Sequence, residues 1–191
     1  MSLRSLYKLA ASLSFFASTS LFAAPLVVDV TGIQSYGAVG NANNTVLTFN
    51  VGANSTITSV SYLVNLTAFN PSWLSEIGLQ FTDSAESDGV YFLPGAAIED
   101  PGTGTFSEAA DLVDLGLSFN VGSDGILRLE FFEDFNDLAG ADGVWNFGTV
   151  TFGVQEAAQA VPEPASVLLI GAGLVLVGYT GRRRRSGSRA A

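Results

Sequence analysis

The sequence predicts an all-β fold, a two-layer antiparallel β-sandwich flanked by an N-terminal signal peptide and one C-terminal transmembrane helix. Two observations predict the sandwich. About eight short segments are rich in Val, Ile, Leu, Phe, Tyr and Thr, and Gly, Asn and Asp separate them at spacings of about 8 to 12 residues. Several segments also alternate apolar and polar residues with a period of two. Both jelly-roll and immunoglobulin-like topologies satisfy these observations.

The predicted strands span residues 27–30, 46–51, 57–66, 77–81, 90–93, 115–121, 126–132 and 149–154. In the segment 126–132, Leu127, Leu129 and Phe131 fall on one face, which we expect to be buried. The Asp124-Gly125 step predicts a tight hairpin that joins 115–121 to 126–132. Residues 106–112 suit either a helical turn or a loop.

The N-terminus predicts a secretory signal peptide over residues 1–23. Arg4 and Lys8 precede a short apolar run interrupted by serines, and small residues follow at Ala23 and Ala24. We expect cleavage after Ala23, which leaves a β-sandwich domain over residues 24–154 and a linker over 155–160.

The C-terminal segment, residues 161–191, combines three features. Val161-Pro162-Glu163-Pro164 is expected to be extended, because proline lacks a backbone donor and disfavours helix before it. Residues 164–181 contain no charged side chain and, as a helix, reach about 27 Å, close to the thickness of the hydrocarbon core of a bilayer. Arg182, Arg183, Arg184 and Arg185 then favour the cytoplasmic side. We therefore expect the domain to lie on the outer side of the inner membrane.

These three features in this order resemble a PEP-CTERM sorting signal, over residues 161–185. The resemblance implies export in a Gram-negative bacterium, transient anchoring, and recognition and cleavage by the membrane protease-transpeptidase exosortase. It also implies delivery to the cell surface or to exopolysaccharide. A plain membrane anchor with stop-transfer arginines is the alternative interpretation of the same residues.

Charge and composition exclude several function classes. Between residues 24 and 160, Arg128 is the only basic residue and 17 residues are acidic, so this part has a net charge of −16. Such a surface repels nucleic acid and anionic lipid. The chain has no cysteine and no histidine, which removes thiol catalysis and the Ser-His-Asp and Cys-His mechanisms. Carboxylate chemistry remains, either in a glycosidase or in a calcium site.

The acidic stretch 133–143 is a candidate calcium site. Its candidate ligands are oxygen donors close together in the chain: Asp134, Asn136, Asp137 and Asp142. The spacing does not fit an EF-hand, because Ala139 replaces the required glycine. A solvated acidic loop between two strands is the alternative. Trp73 follows a proline turn and is a candidate for stacking on a sugar ring, or else it covers one end of the sandwich.

A further resemblance concerns the body. Residues 57–66, the Trp73-Leu74-Ser75-Glu76-Ile77-Gly78-Leu79 segment and the late Gly143-Val144-Trp145 step are similar to the P-like sandwich found beside proprotein convertases. This resemblance favours the jelly-roll topology. The sequence as a whole predicts an exported, non-enzymatic structural or matrix-associated protein of a biofilm. A calcium-assisted polysaccharide-binding module is the alternative, and a carboxylate glycosidase is the third candidate.

Overall fold

A computed structural model describes residues 24–157, in which ten β-strands and no helix occur. The strands are β1 (Leu26–Asp29), β2 (Ile33–Ser35), β3 (Thr45–Asn50), β4 (Thr56–Ala68), β5 (Ile77–Asp83), β6 (Gly89–Phe92), β7 (Gly102–Asp111), β8 (Phe119–Asn120), β9 (Ile126–Glu133) and β10 (Gly143–Gln155). The chain divides into two units after Ala157. The predicted signal peptide, sorting motif, transmembrane helix and arginine cluster lie outside the described residues.

Two antiparallel sheets form the sandwich. The first has the order β1-β10-β4-β7, with β2 paired to β10 and β8 paired to β4. The second has the order β3-β9-β5-β6. The chain passes repeatedly from one sheet to the other, so most neighbouring strands are distant in sequence. The predicted all-β sandwich of antiparallel strands is confirmed.

The core lies between the two sheets. Alternate residues of β9 and β5 face inward, and they meet the inward residues of β4 and β10. The largest fully buried side chains include Trp145, Phe81, Phe131 and Phe152. The rings of Phe131 and Trp145 pack edge to face with their centroids 5.2 Å apart. As the alternation in 126–132 predicts, Leu127, Leu129 and Phe131 are buried.

Three local predictions are wrong. Residues 115–121 form only the two-residue strand β8, which pairs with β4 in the first sheet, whereas β9 belongs to the second sheet. Gly125 has the positive φ expected of a turn, yet this turn connects the two sheets and does not close a hairpin. Residues 106–112 lie largely in β7, because pairing with β4 along the whole strand overrides the helical preference of Ser, Glu and Ala there.

The long strand β10 runs from one end of the sandwich to the other. Its first residue, Gly143, lies opposite Ala68, the last residue of β4, and its last residue, Gln155, lies opposite Thr56. Thirteen extended residues span about 40 Å. The connections 69–76 and 134–142 therefore lie together at one end, which we call the acidic end. In residues 24–157 no helix has the length and apolar character needed to cross a membrane.

A pair of buried carboxylates at the acidic end

Hydrogen bonds join the two connections of the acidic end. The N–H of Phe69 donates to the main-chain oxygen of Asp142 over 2.8 Å. The hydroxyl of Ser72 donates to Oδ2 of Asp137 over 3.4 Å, and the N–H of Asp134 donates to the main-chain oxygen of Glu76. The candidate calcium loop and the candidate stacking residue Trp73, which are far apart in sequence, thus lie at the same end of the sandwich.

The four predicted calcium ligands differ in their surroundings. The side chains of Asp134, Asn136 and Asp137 are exposed, whereas Asp142 is fully buried. Within residues 24–157, no three Asp, Glu, His or Cys side chains are grouped so that they hold a metal ion. The loop therefore does not present its acidic residues as one exposed ligand set.

Glu133 is the most unusual acidic residue of this end. It is the last residue of β9 and continues the inward face of Leu129 and Phe131, so its carboxylate is fully buried. One oxygen, Oε2, accepts a hydrogen bond from Ser35 Oγ over 3.1 Å, and the other, Oε1, has no partner. Burial raises the pKa of Glu133 to about 9; the bond from Ser35 opposes this, and the carboxylates of Asp142, Glu76 and Asp134 add to it.

Asp142 is the second buried carboxylate. Its Oδ1 accepts a hydrogen bond from the N–H of Leu138 over 2.8 Å, while its Oδ2 is buried without a partner. Its own N–H donates to the main-chain oxygen of Ser35 over 3.0 Å, so Ser35 contacts both acidic residues. Burial raises the pKa of Asp142 as well, against the hydrogen bond from Leu138.

Gly143 makes room for this arrangement. It lies opposite Ser35 in the pairing of β10 with β2. A Cβ atom at position 143 would lie 2.6 Å from Cδ1 of Ile77 and 3.0 Å from Oγ of Ser35. Only glycine leaves the Ser35 hydroxyl and the Ile77 side chain in their present positions beside Glu133.

Glu130, three residues earlier on β9, is also buried but is fully paired. Its Oε1 accepts hydrogen bonds from the N–H of Gly40 over 2.6 Å and from Nδ2 of Asn44 over 2.9 Å. Its Oε2 forms an ion pair with Nη2 of Arg128 at 2.7 Å. Burial acts to raise the pKa of Glu130, but the bonds from Asn44, Arg128 and Gly40 outweigh it and hold the pKa below its usual value.

Three aromatic side chains are exposed at the acidic end. Trp73 is 40% exposed, Phe69 is 37% exposed and Phe135 is 63% exposed. The N–H of Trp73 donates to Oε2 of Glu76 over 2.9 Å, which fixes the turn that carries the indole. Trp145 differs from Trp73, since it is fully buried in the core.

The sequence analysis included Glu133 in the acidic stretch 133–143 but not among the candidate ligands, and it gave Ser35 and Glu76 no role at this end. For Glu133 a signal was present, because the period of two that places Leu127, Leu129 and Phe131 inside also places residue 133 inside. Ser35 and Glu76 gave no comparable signal, since their positions depend on long-range pairing of β2 and β5.

The family comparison concerns the other unit of the chain. Residues 160–185 match the PEP-CTERM protein-sorting motif. The C-terminal segment carries a PEP-CTERM sorting signal. This motif indicates an exported protein that is sorted through a membrane-anchored stage and processed by exosortase, as the sequence predicted. A comparison with curated protein sequences found no match. The similarity of the body to the P-like sandwich remains a prediction.

Comparison with solved structures gave matches to virus proteins. The chain is 10% identical to the VP2 subviral particle protein of infectious bursal disease virus, with a TM-score of 0.29, covering 82% of this chain and 38% of that chain. It is 12% identical to a chain of tomato aspermy virus, with a TM-score of 0.26 and coverage of 83% and 92%. For the tobacco streak virus coat protein the identity is 11%, the TM-score 0.27 and the coverage 79% and 96%. Similarities this low carry no argument about this chain.

Proposed function

We propose that this protein is a non-enzymatic structural or matrix-associated component of the surface of a Gram-negative bacterium. The PEP-CTERM motif at residues 160–185 is the observation that carries this proposal. The signal peptide directs the chain across the inner membrane, the apolar helix 164–181 holds it there transiently, and exosortase cuts near Pro162-Glu163-Pro164. The β-sandwich then enters the exopolysaccharide of a biofilm.

The absence of histidine and cysteine from the whole chain supports a non-enzymatic role. Glu133 and Asp142 are buried, so these two carboxylates do not form a glycosidase pair that a sugar reaches from solvent. The net charge of −16 between residues 24 and 160 disfavours nucleic acid as a partner. The strand order supports the jelly-roll topology, since the two sheets interleave strands distant in sequence as paired Greek keys do.

The test is the intact mass of the protein recovered from surface and matrix material. In cells with exosortase we expect a product that begins near Ala24 and ends near Pro162-Glu163-Pro164. In cells that lack exosortase, or in which residues 162–164 are replaced by alanine, we expect a membrane-bound product that retains Arg182–Arg185. A matched control replaces the neighbouring Gln155, Glu156 and Gln159 by alanine and should be processed normally. A wild-type product that keeps its arginines would show a permanent anchor.

A calcium-assisted polysaccharide-binding module is the second candidate. One observation favours it: exposed Trp73, Phe69 and Phe135 lie at the same end as the acidic loop. Aromatic faces of this kind stack on sugar rings. The test is retention of the protein on the polysaccharide of its own matrix, with and without EDTA. Trp73→Ala should lose retention, whereas Phe147→Ala, which removes another exposed aromatic side chain on β10, should keep it. Retention that survives both EDTA and Trp73→Ala excludes this candidate.

A further inference from the structure

We propose that the open edge of β7 pairs with the same edge of a second copy of this chain, so that the first sheets of two molecules join into one continuous sheet. All ten residues of β7 (Gly102–Asp111) pair with β4, and no other strand of residues 24–157 pairs with β7. The main-chain N–H and C=O groups that point away from β4 therefore have no strand partner. The proposal does not depend on sorting by exosortase or on polysaccharide binding.

β7 differs from the other edge strands within residues 24–157. The strands β1, β2, β3, β6 and β8 have two to six residues, whereas β7 has ten, none of them buried. Proteins protect sheet edges by short strands, lysine, proline or bulges. β7 contains no proline and no basic residue, and its register with β4 is continuous over ten pairs, while the pairing of β4 with β10 is irregular at two places. β7 thus keeps a long, regular edge that a further strand fits.

The side chains of β7 match those of a second, antiparallel copy in one register. When Phe106 lies opposite Phe106 of the second copy, Glu108 lies opposite Gly104. On the outer face of the sheet, Thr105 then lies opposite Ser107, a hydroxyl pair that favours pairing across strands. A two-fold axis relates the copies, so each of these two contacts occurs twice and the dimer is closed. This self-complementarity is the reason for choosing a second copy as the occupant of the edge.

The same register limits the repulsion between two acidic chains. The two copies of Glu108 lie four residues apart along the paired strands, which is about 13 Å. Each Glu108 carboxylate also accepts a hydrogen bond from the Tyr62 hydroxyl of its own chain over 3.2 Å. The net charge of −16 between residues 24 and 160 opposes association at longer range. We therefore expect the dimer to become more stable as sodium chloride screens this charge.

Phe106 supplies the apolar part of the contact. It is half-buried and packs against the core between the sheets, and its ring covers Gly104, where an added Cβ would lie 2.6 Å from Cζ of Phe106. Directly opposite residues have their Cβ atoms about 4.5–5.5 Å apart, so the two Phe106 side chains lie side by side and continue the core across the contact. One strand pair is a small interface, and we expect a dissociation constant of about 10–100 μM.

The first test is disulfide cross-linking. Because the chain has no cysteine, a single introduced cysteine forms disulfides only between copies. Full-length Thr105→Cys and Ser107→Cys chains are purified in detergent, mixed and oxidised. Directly opposite residues meet the Cα separation of a disulfide, about 4.4–6.8 Å, so the mixture should give a heterodimer that mass spectrometry identifies. Each variant alone should give much less, since two copies of the same residue are then about 7–8 Å apart. Thr149→Cys, on the exposed face of β10 between β1 and β4, is the control and should not cross-link with Ser107→Cys.

The second test is the mass of the full chain in detergent, measured by light scattering over a range of protein concentrations. The double variant Thr105→Glu/Ser107→Glu should raise the dimer dissociation constant about tenfold, because it places like charges directly opposite each other twice. Both positions are exposed, so the variant is expected to fold, and Thr149→Glu is the matched control that should dimerise as the wild type does. The proposal is overturned if the wild type stays monomeric at about 1 mM, ten times the upper end of the expected range. It is also overturned if the mixture of Thr105→Cys with Ser107→Cys cross-links no more than the control, or if the double variant dimerises like the wild type, which would assign the dimer to another surface.

Discussion

Two glutamates on β9, Glu130 and Glu133, are both buried, but the groups that surround their carboxylates differ. Glu130 faces the loop 36–44 and receives bonds from Gly40, Asn44 and Arg128, so its charge is compensated. Glu133 faces inward and has only the Ser35 hydroxyl, with other carboxylates nearby. The difference shows that burial alone does not define the state of an acidic residue; the donors around it do.

The largest effect should follow from removing the compensated charge. Glu130→Ala deletes a partner that is buried with Arg128 and leaves the bonds from Gly40 and Asn44 unmade. Breaking a buried pair in this way costs about 3–5 kcal/mol. Chemical denaturation of the full chain in EDTA measures the free energy of unfolding. Glu99→Ala, at an exposed position, should change it by less than about 0.5 kcal/mol. Equal effects of the two variants would contradict the role of Glu130.

A pH series sharpens the comparison. The pKa of Glu130 in the folded chain is below its usual value of 4.5, so its stabilising contribution is present above pH 4.5 and is lost as the pH falls through the lowered pKa. Glu130→Gln lacks this contribution and should be less stable by about 1.5–3 kcal/mol at pH 7, the range for hydrogen bonds to a charged group. The difference in the free energy of unfolding between the wild type and Glu130→Gln should become smaller below pH 4.5. If this difference in unfolding free energy stays constant down to pH 2, the charge of Glu130 does not stabilise the folded chain.

The packing around Glu133 gives the next effect. Gly143→Ala places a methyl group within 2.6 Å of the Ile77 side chain and 3.0 Å of the Ser35 hydroxyl. Overpacking of this kind costs about 1–3 kcal/mol, measured as a shift of the denaturation midpoint. Gly140→Ala is the control, because its added Cβ meets no atom within 4 Å. If both alanines are tolerated equally, the space at position 143 is not a constraint.

The smallest effect concerns the single hydroxyl that serves Glu133. Ser35→Ala removes the donor to Oε2 of Glu133, so that neither oxygen of this carboxyl group has a hydrogen-bond partner. The variant should be less stable than the wild type by about 0.5–1.5 kcal/mol in EDTA. The comparison is Ser118→Ala, whose side chain is exposed. A Ser35→Ala variant as stable as the wild type would mean that another donor replaces the hydroxyl.

Local patterns in the sequence predicted what depends on neighbours along the chain. The alternation in β9 correctly predicted its buried face, and Gly125 adopts the predicted turn conformation. The Asp124-Gly125 step did not reveal that its turn leads from one sheet to the other, because β8 joins the first sheet by pairing with residues 56–57. The prediction of a helical turn or loop at residues 106–112 was wrong for the same reason, because their pairing partners in β4 are more than 40 residues away in the sequence.

The candidate site shows the same division. Asp142 was predicted as a ligand because it lies in an acidic stretch, and it is part of the buried pair. Glu133 lies in the same acidic stretch but was not among the candidate ligands, although the period of two in β9 places its side chain on the buried face. Ser35 joins them only through the pairing of β2 with β10, which no local pattern in residues 33–35 encodes.

The central position of β10 has a mechanical consequence. The strand runs from Gly143 at the acidic end to Gln155, where the chain continues toward the sorting segment, and it is hydrogen-bonded to β4 on one side and to β1 and β2 on the other. A pull between the acidic end and Gln155 acts along the strand, at right angles to these hydrogen bonds. The bonds then share the load in shear and do not open one after another, so the sandwich resists extension along β10, which with β4 is one of its two longest strands.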